Sequence, residues 1–403
     1  MRGVLLLRKD DEAISSQFPI AAFVCMAHLL YNTFCSPIAG TERTVNAHKD
    51  AYTVLAEKHS FGKSQPYLSV LRFLMTPEQA EMVTLLPGSP EEVAQKTRID
   101  LATVKRNLEI LHRKGVIVPT DYKNPSSYMF CKYAERLWEV SESLMGLDIY
   151  TEEETKRLFH LWEDWKVTDY ADMTAERWRN LQAMGIHGLR IVPAYKAILD
   201  IPEILPYEDP REIVRVQPLI TVVSCSCRKH KKMIGNPCRK SGAEANCLQF
   251  AKSAEYSLSR GHGRRISVDE ALAIVDRNED EGLVHQWMNH SKIEAAQPYA
   301  LCSCCRCCCT VWHAADIRHV PNDAVFAKSR YEARVEADLC IGCEDCLERC
   351  QFDAIEMRQD EGSGQLKAVV NPEKCWGCGV CTLICEPRAL RIHLVRPPEH
   401  IPA

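Results

Sequence analysis

Eight cysteines near the C-terminus stand in two runs of one spacing, C-x-x-C-x-x-C-x-x-x-C. The first run is Cys340, Cys343, Cys346 and Cys350; the second, 35 positions later, is Cys375, Cys378, Cys381 and Cys385. The flanks repeat as well, CIGCEDCLERCQFDAI against CWGCGVCTLICEPRAL. A tight loop with cysteines three apart presents three thiolates to three iron atoms of one iron–sulfur cube. Gly342 and Gly377 let the backbone curl close to such a core. The fourth cysteine, one helical turn on, points away from its own loop and meets the other cube. The spacing therefore predicts one [4Fe–4S] cluster on Cys340, Cys343, Cys346 and Cys385. It predicts a second on Cys375, Cys378, Cys381 and Cys350. Zinc sites use paired cysteines more often than this three-plus-one pattern.

Ten more cysteines lie ahead of these runs, between residues 225 and 309. Cys225 and Cys227 form a C-x-C directly after the apolar run LITVVS, and Cys238 and Cys247 follow. LCSCCRCCCTVW then packs Cys302, Cys304, Cys305, Cys307, Cys308 and Cys309 into eight positions. One cluster cannot use all ten. Adjacent side chains diverge, so the ligand candidates here are Cys225, Cys227, Cys238 and Cys247 with help from Cys302, Cys304, Cys305 and Cys307. The expectation is one further iron–sulfur centre, with cysteines enough for a fourth cluster; a redox-active thiol site and plain burial are the competing readings. From Cys225 to Arg265 ten Lys and Arg stand against Glu244 and Glu255. Arg228, Lys229, Lys231 and Lys232 follow Cys227 at once, and their length and hydration predict exposed charges that dock an anionic partner. His285 and His290, near this region, read as structural, hydrogen-bonding histidines.

The last segment resembles the bacterial two-cluster ferredoxins over about 60 to 65 residues. It departs from them in lacking proline directly after the fourth cysteine: Gln351 follows Cys350, and Glu386 separates Cys385 from Pro387. Proline is no ligand, so ligation is untouched. The longer order CSCR, GLVHQWMN, LCSCCRCCC and then two ferredoxin motifs resembles bacterial and archaeal 4Fe-4S binding-domain proteins, over roughly residues 68 to 385. In these a winged-helix-like segment precedes a cysteine-rich middle, and the resemblance implies electron transfer with no substrate assigned.

The elements that must position these cysteines are legible from caps and periodicity. Thr76 and Pro77 open a helix in MTPEQAEMVTLL, Ser89 a second, and Asp100 a third, LATVKRNLEILHRKG. The apolar VIVP, a polar turn and Tyr128 to Phe130 read as a two-stranded wing. Three helices and a hairpin resemble a winged helix over residues 68 to 131. Its third helix carries Lys105, Arg106, Arg113 and Lys114 but also Asp100 and Glu109. A scaffolding role fits that mixture better than DNA reading. Residues 1 to 67 read as a helical region, and 132 to 330 as a helical and mixed middle domain. Residues 331 to 403 read as the ferredoxin-like domain of βαβ repeats. The fold class expected is α+β and multidomain.

Composition narrows the setting. A formal charge of −4 argues against a dedicated nucleic-acid binder. Between Asp338 and Glu399 eleven acids face seven Lys and Arg, which suits a basic redox partner protein. The apolar stretch Phe18 to Phe34 is interrupted by Pro19, His28 and Asn32, so it reads as a buried helix and not a membrane span. No secretory signal is evident, which places the chain in a reducing cytoplasm. The function implied is an iron–sulfur electron-transfer protein or an oxidoreductase subunit. Two rivals are a reductase with its active site in the middle domain and a redox-sensing winged-helix regulator.

Overall fold

In the computed structural model, residues 49–122, 124–142, 149–242, 244–287 and 299–401 are described. The expected helical start of the chain up to residue 48, its apolar stretch and His290 lie outside them. Caps set the first helices: α1 (Ala51–Lys58), α2 (Gln65–Leu74), α3 (Pro77–Thr84), α4 (Pro90–Thr97) and α5 (Leu101–Arg113). Asp50, Ser64, Thr76, Ser89 and Asp100 each accept a backbone N–H of the first turn. Thr76–Gln79 and Ser89–Glu92 are reciprocal capping boxes. Strands β1 (Ile117–Pro119) and β2 (Tyr128–Phe130) then pair antiparallel, Ile117 opposite Phe130.

Helices α6 (Ala134–Ser141), α7 (Glu152–Trp165) and α8 (Ala171–Ala183) follow, the last two joined by the π-helical turn Lys166–Tyr170. Trp162 and Trp165 of α7 are fully buried and meet edge to face at 5.2 Å. Each such ring contributes about 1.5–3 kcal/mol by leaving water.

The middle of the chain forms a seven-stranded sheet. Its strands are β3 (Leu189–Val192), β4 (Ile220–Ser224), β5 (Ala245–Phe250), β6 (Gly263–Arg265), β7 (Val284–Trp287), β8 (Ala300–Cys304) and β9 (Phe326–Ala327). The order is β6-β4-β5-β8-β7-β3-β9, and every pair is antiparallel except β3 with β9. Helix α9 (Ser226–Met233) leaves β4 directly, α10 (Ala251–Ser259) leaves β5, and α11 (Val268–Asp280) carries the expected Ser267 cap. Helix α12 (Thr310–Ile317) starts at the end of the cysteine run.

The C-terminal part holds two antiparallel pairs: β10 (Tyr331–Val335) with β13 (Leu390–Leu394), and β11 (Ile355–Gln359) with β12 (Leu366–Val370). It is fastened to the rest by aromatics. Phe352 stacks on Trp376 at 5.1 Å, Trp312 of α12 meets Phe352 at 5.5 Å, and Trp376 Nε1 donates to the Phe326 carbonyl. One apolar core thus runs from Tyr52 to Val380. Among the described residues no helix is long and apolar enough to cross a membrane.

Candidate metal centres

Each C-terminal cysteine run wraps a small apolar space. One is lined by Cys340, Cys343, Cys346 and Cys385, with Ile341, Ala368 and Leu390 among its walls. The other is lined by Cys350, Cys375, Cys378 and Cys381 under Phe352 and Trp376. Each space thus draws three cysteines from one run and the last from the other. Backbone N–H groups of the strands, and of Ala354 just before β11, point at the sulfurs: Ala368 at Cys340 (3.4 Å), Ala333 at Cys375 (3.4 Å), Ala354 at Cys350 (3.2 Å) and Leu390 at Cys385 (3.4 Å). Such donors are wasted on neutral thiols and suit anionic sulfur. Gly342 and Gly377 have positive φ, and a Cβ on either would run into the carbonyl of Leu366 or Tyr331. Burial pushes the Cys346 thiol up to about 11, and raises Cys350, Cys378 and Cys381 as well. A bound cationic metal core would supply the stabilisation that a bare thiolate lacks there. Four sulfurs, aimed N–H donors and a waiting space fit an iron–sulfur cluster in each case.

The sheet gathers the middle cysteines into two sulfur groups. In the first, Cys247 of β5 faces Cys302 of β8 at 3.9 Å, one step beyond the paired Leu248 and Leu301. Cys304, Cys309 at the start of α12, Cys227 in α9 and Cys225 couple electrostatically in turn to Cys302. The coupling holds Cys227 and Cys302 well below the usual thiol range and lifts Cys225, Cys247 and Cys304 above it. In the second group Cys238 joins Cys305, Cys307 and Cys308. The sequence put Cys238 with Cys225, Cys227 and Cys247, but the loop after α9 carries it to the Cys305 turn instead. The divergence of neighbours separates Cys304 from Cys305 and Cys308 from Cys309. It fails at Cys307 and Cys308, whose sulfurs lie 3.7 Å apart. There the turn tightens, the Cys308 and Cys309 N–H groups both donating to the Cys305 carbonyl. Cys308 and Cys309 were passed over as ligand candidates; the C-x-x-C from Cys305 to Cys308 was the available signal.

Comparison with known proteins places one part of the chain. Residues 339–389 match the 4Fe-4S dicluster domain. The polyferredoxin protein MvhB of Methanothermobacter marburgensis is 27% identical over 95 residues, 23% of this chain and 21% of that protein. Its namesake in Methanothermus fervidus is 32% identical over 75 residues, 18% of each chain. The chain thus spans about a fifth of the length of these relatives. No solved structure matches.

The dicluster domain is tied to the cysteine turn at the position where two-cluster ferredoxins usually carry proline. Gln351, next to Cys350, accepts the Arg306 N–H with its Oε1 (3.1 Å) and donates from Nε2 to the Gly282 carbonyl (3.3 Å). Arg306 itself lies between Cys305 and Cys307 and pairs with Asp316 (2.9 Å) and with Asp353 of the dicluster domain (2.5 Å).

The basic helix α9 corrects an expectation. Lys231 is buried and paired with Glu163 at 3.1 Å, and Arg228 is buried with its Nη2 on the Ser303 carbonyl. Lys232 alone of the four basic residues in α9 fits the expected exposure, and it pairs with Glu244 at 2.8 Å. The rest of the helix is held by acids from α6 and α7: His230 sits between Glu142 (2.7 Å) and Glu163 (2.8 Å). Burial would lower the His230 pKa, but the two carboxylates outweigh it and raise it. Burial would raise Glu163, yet His230, Lys166 and Lys231 hold it well below the usual carboxylate range. His285 is buried and hydrogen-bonds Ser303 Oγ and Glu279. In α5, Lys105 pairs with Glu91 and Lys114 donates to the Leu74 carbonyl.

Proposed function

We propose that the chain is an iron–sulfur electron carrier, alone or as the electron-transfer subunit of an oxidoreductase. The observation that carries this reading is the pair of four-cysteine spaces in the dicluster domain. Cys340, Cys343, Cys346 and Cys385 would hold one [4Fe–4S] cluster; Cys375, Cys378, Cys381 and Cys350 would hold the other. When bound, the clusters supply single-electron redox chemistry. The chain's own part is to fix the thiolates, to aim the N–H groups of Ala333, Ala354, Ala368 and Leu390 at sulfur, and to exclude water. Burial and N–H···S bonds of this kind set the reduction potential. Cys225, Cys227, Cys247, Cys302, Cys304 and Cys309 form the candidate ligand set of a further centre. The polyferredoxin names of the relatives support a redox protein as partner, and the exposed Cys343 edge is where it would come nearest to the thiolates. We read α3 to α5 with β1 and β2 as a winged helix serving as scaffold.

The test is iron and acid-labile sulfide per chain in anaerobically prepared full-length protein, with electron paramagnetic resonance after reduction. Two cubes require about eight irons that disappear when Cys340 and Cys375 are replaced by serine. A paired-spin spectrum on reduction is expected with them. Zinc in place of that iron, or iron that cannot be reduced, would overturn the reading.

A further inference from the structure

The second middle group differs from both C-terminal sets in how closely its sulfurs approach. Cys238 Sγ lies 3.5 Å from Cys305 Sγ and 3.9 Å from Cys307 Sγ. Cys307 Sγ lies 3.4 Å from Cys305 Sγ and 3.7 Å from Cys308 Sγ. All four sulfurs fall within 4.8 Å of one another. Thiolates bound to one tetrahedral ion at about 2.3 Å stand about 3.8 Å apart along each edge of the tetrahedron. A cube instead spreads its thiolates over four irons, so the sulfurs stand off from each other around the inorganic core. The dicluster domain keeps such a space; the Cys238 group is drawn together around a point.

Two further observations agree. Cys305 and Cys308 have the C-x-x-C spacing of tetrahedral thiolate sites, closed by the Cys308 N–H to Cys305 carbonyl bond of 3.2 Å. A divalent ion with four thiolates carries a net negative charge, and a cation is in place to offset it. Arg228 is buried with Nε and Nη1 lacking a hydrogen-bond partner among the described residues. Its charge acts first on Cys225 of the other sulfur group and then on Cys305, Cys304 and Cys238, so it serves both groups. The Lys240 N–H also points at Cys238 Sγ from 3.5 Å.

We infer that Cys238, Cys305, Cys307 and Cys308 form a tetrathiolate site for one metal ion, zinc or mononuclear iron, and not a third cube. Binding replaces thiol protons by the ion, so loading releases protons and strengthens as pH rises. The inference holds whether or not the dicluster domain moves electrons.

Full-length protein with its clusters intact should contain one metal ion that depends on these cysteines. For zinc, X-ray absorption should show four sulfurs at about 2.3 Å and no neighbouring metal. For iron, the oxidised protein should show a high-spin ferric signal. Cys305→Ser and Cys238→Ser should each lose that ion and keep the iron and sulfide of the dicluster domain. Should Cys305→Ser fail to fold, as read by circular dichroism, the half-buried Cys238 and the wild-type absorption spectrum still decide. Loss of about four irons with matching sulfide in either variant would mean a cube, and unchanged metal content would mean no site. Either result overturns the inference.

Discussion

The dicluster domain and the middle sulfur groups use the same ligand atom in opposite ways. In the dicluster domain three of every four cysteines come from one short loop, and backbone N–H groups hold the sulfurs around a space. In the middle the sulfurs come from Cys225 just after β4, from α9 and the loop after it, from β5, β8 and the turn before α12, and those of the Cys238 group all lie within 4.8 Å of one another. Local spacing sets the first arrangement; strand register and loop paths set the second. The difference teaches that cysteine count says little about the size of a metal centre, while sulfur separation says much.

That contrast can be broken first at the dicluster domain. Cys350→Ser should cost about four irons. The loss should fall on the site built from Cys375, Cys378 and Cys381. Cys385→Ser should empty the site that begins at Cys340. Iron analysis combined with single-cluster spectra of each variant reads this directly. Damage confined to the variant's own loop would remove the crossed pairing on which the comparison rests.

A smaller effect tests what seats the middle sulfurs. His230→Ala removes the imidazole that bridges Glu142 and Glu163, and breaking a buried pair of this kind costs about 3–5 kcal/mol. The sign with pH follows from the shifts. The raised His230 pKa gives stability that is complete below the unfolded histidine value and is lost as pH rises through the folded one. The lowered Glu163 pKa gives stability that is present above the unfolded carboxylate value and is lost as pH falls through the folded one. Thermal midpoints should therefore differ most between wild type and variant in the window between those limits, and the gap should close on the alkaline side. A constant gap from pH 5 to 9 would mean that the ring only fills space. The smallest effect belongs to Gln351→Ala, which removes two hydrogen bonds. It should destabilise by about 1–3 kcal/mol and leave the iron content unchanged. Loss of iron in this variant would show that the bridge to Arg306 holds Cys350 in place.

The dicluster cysteines and the helices were legible in sequence because their determinants are local. Thr76, Ser89 and Asp100 sit within three residues of the N–H groups they cap. Cys340, Cys343 and Cys346 share one loop. The partnership of Cys238 with Cys305 is not local: the chain crosses β5, β6, β7 and β8 between them, and only sheet order brings them together. The exposure expected for Lys231 failed for the same reason. Glu163 lies 68 positions away on α7, and no feature of the segment itself announces it. Arg228 read as a docking charge in sequence; in the fold it is a buried cation beside sulfur.

One asymmetry within the dicluster domain bears on how the protein is made. Cys343 is exposed and Ile341 beside it is 68% exposed, whereas Cys375, Cys378 and Cys381 are buried beneath Trp376 and Phe352. Were both sites to take clusters, iron and sulfide would reach the open edge of a finished chain directly. The covered site would take them only before the aromatic lid of Trp376 and Phe352 closes over it, so the inner site would fill first. Anaerobic reconstitution of folded, metal-free protein should restore the outer cluster within minutes and the inner one only after partial unfolding. Equal filling rates would show that the lid opens freely.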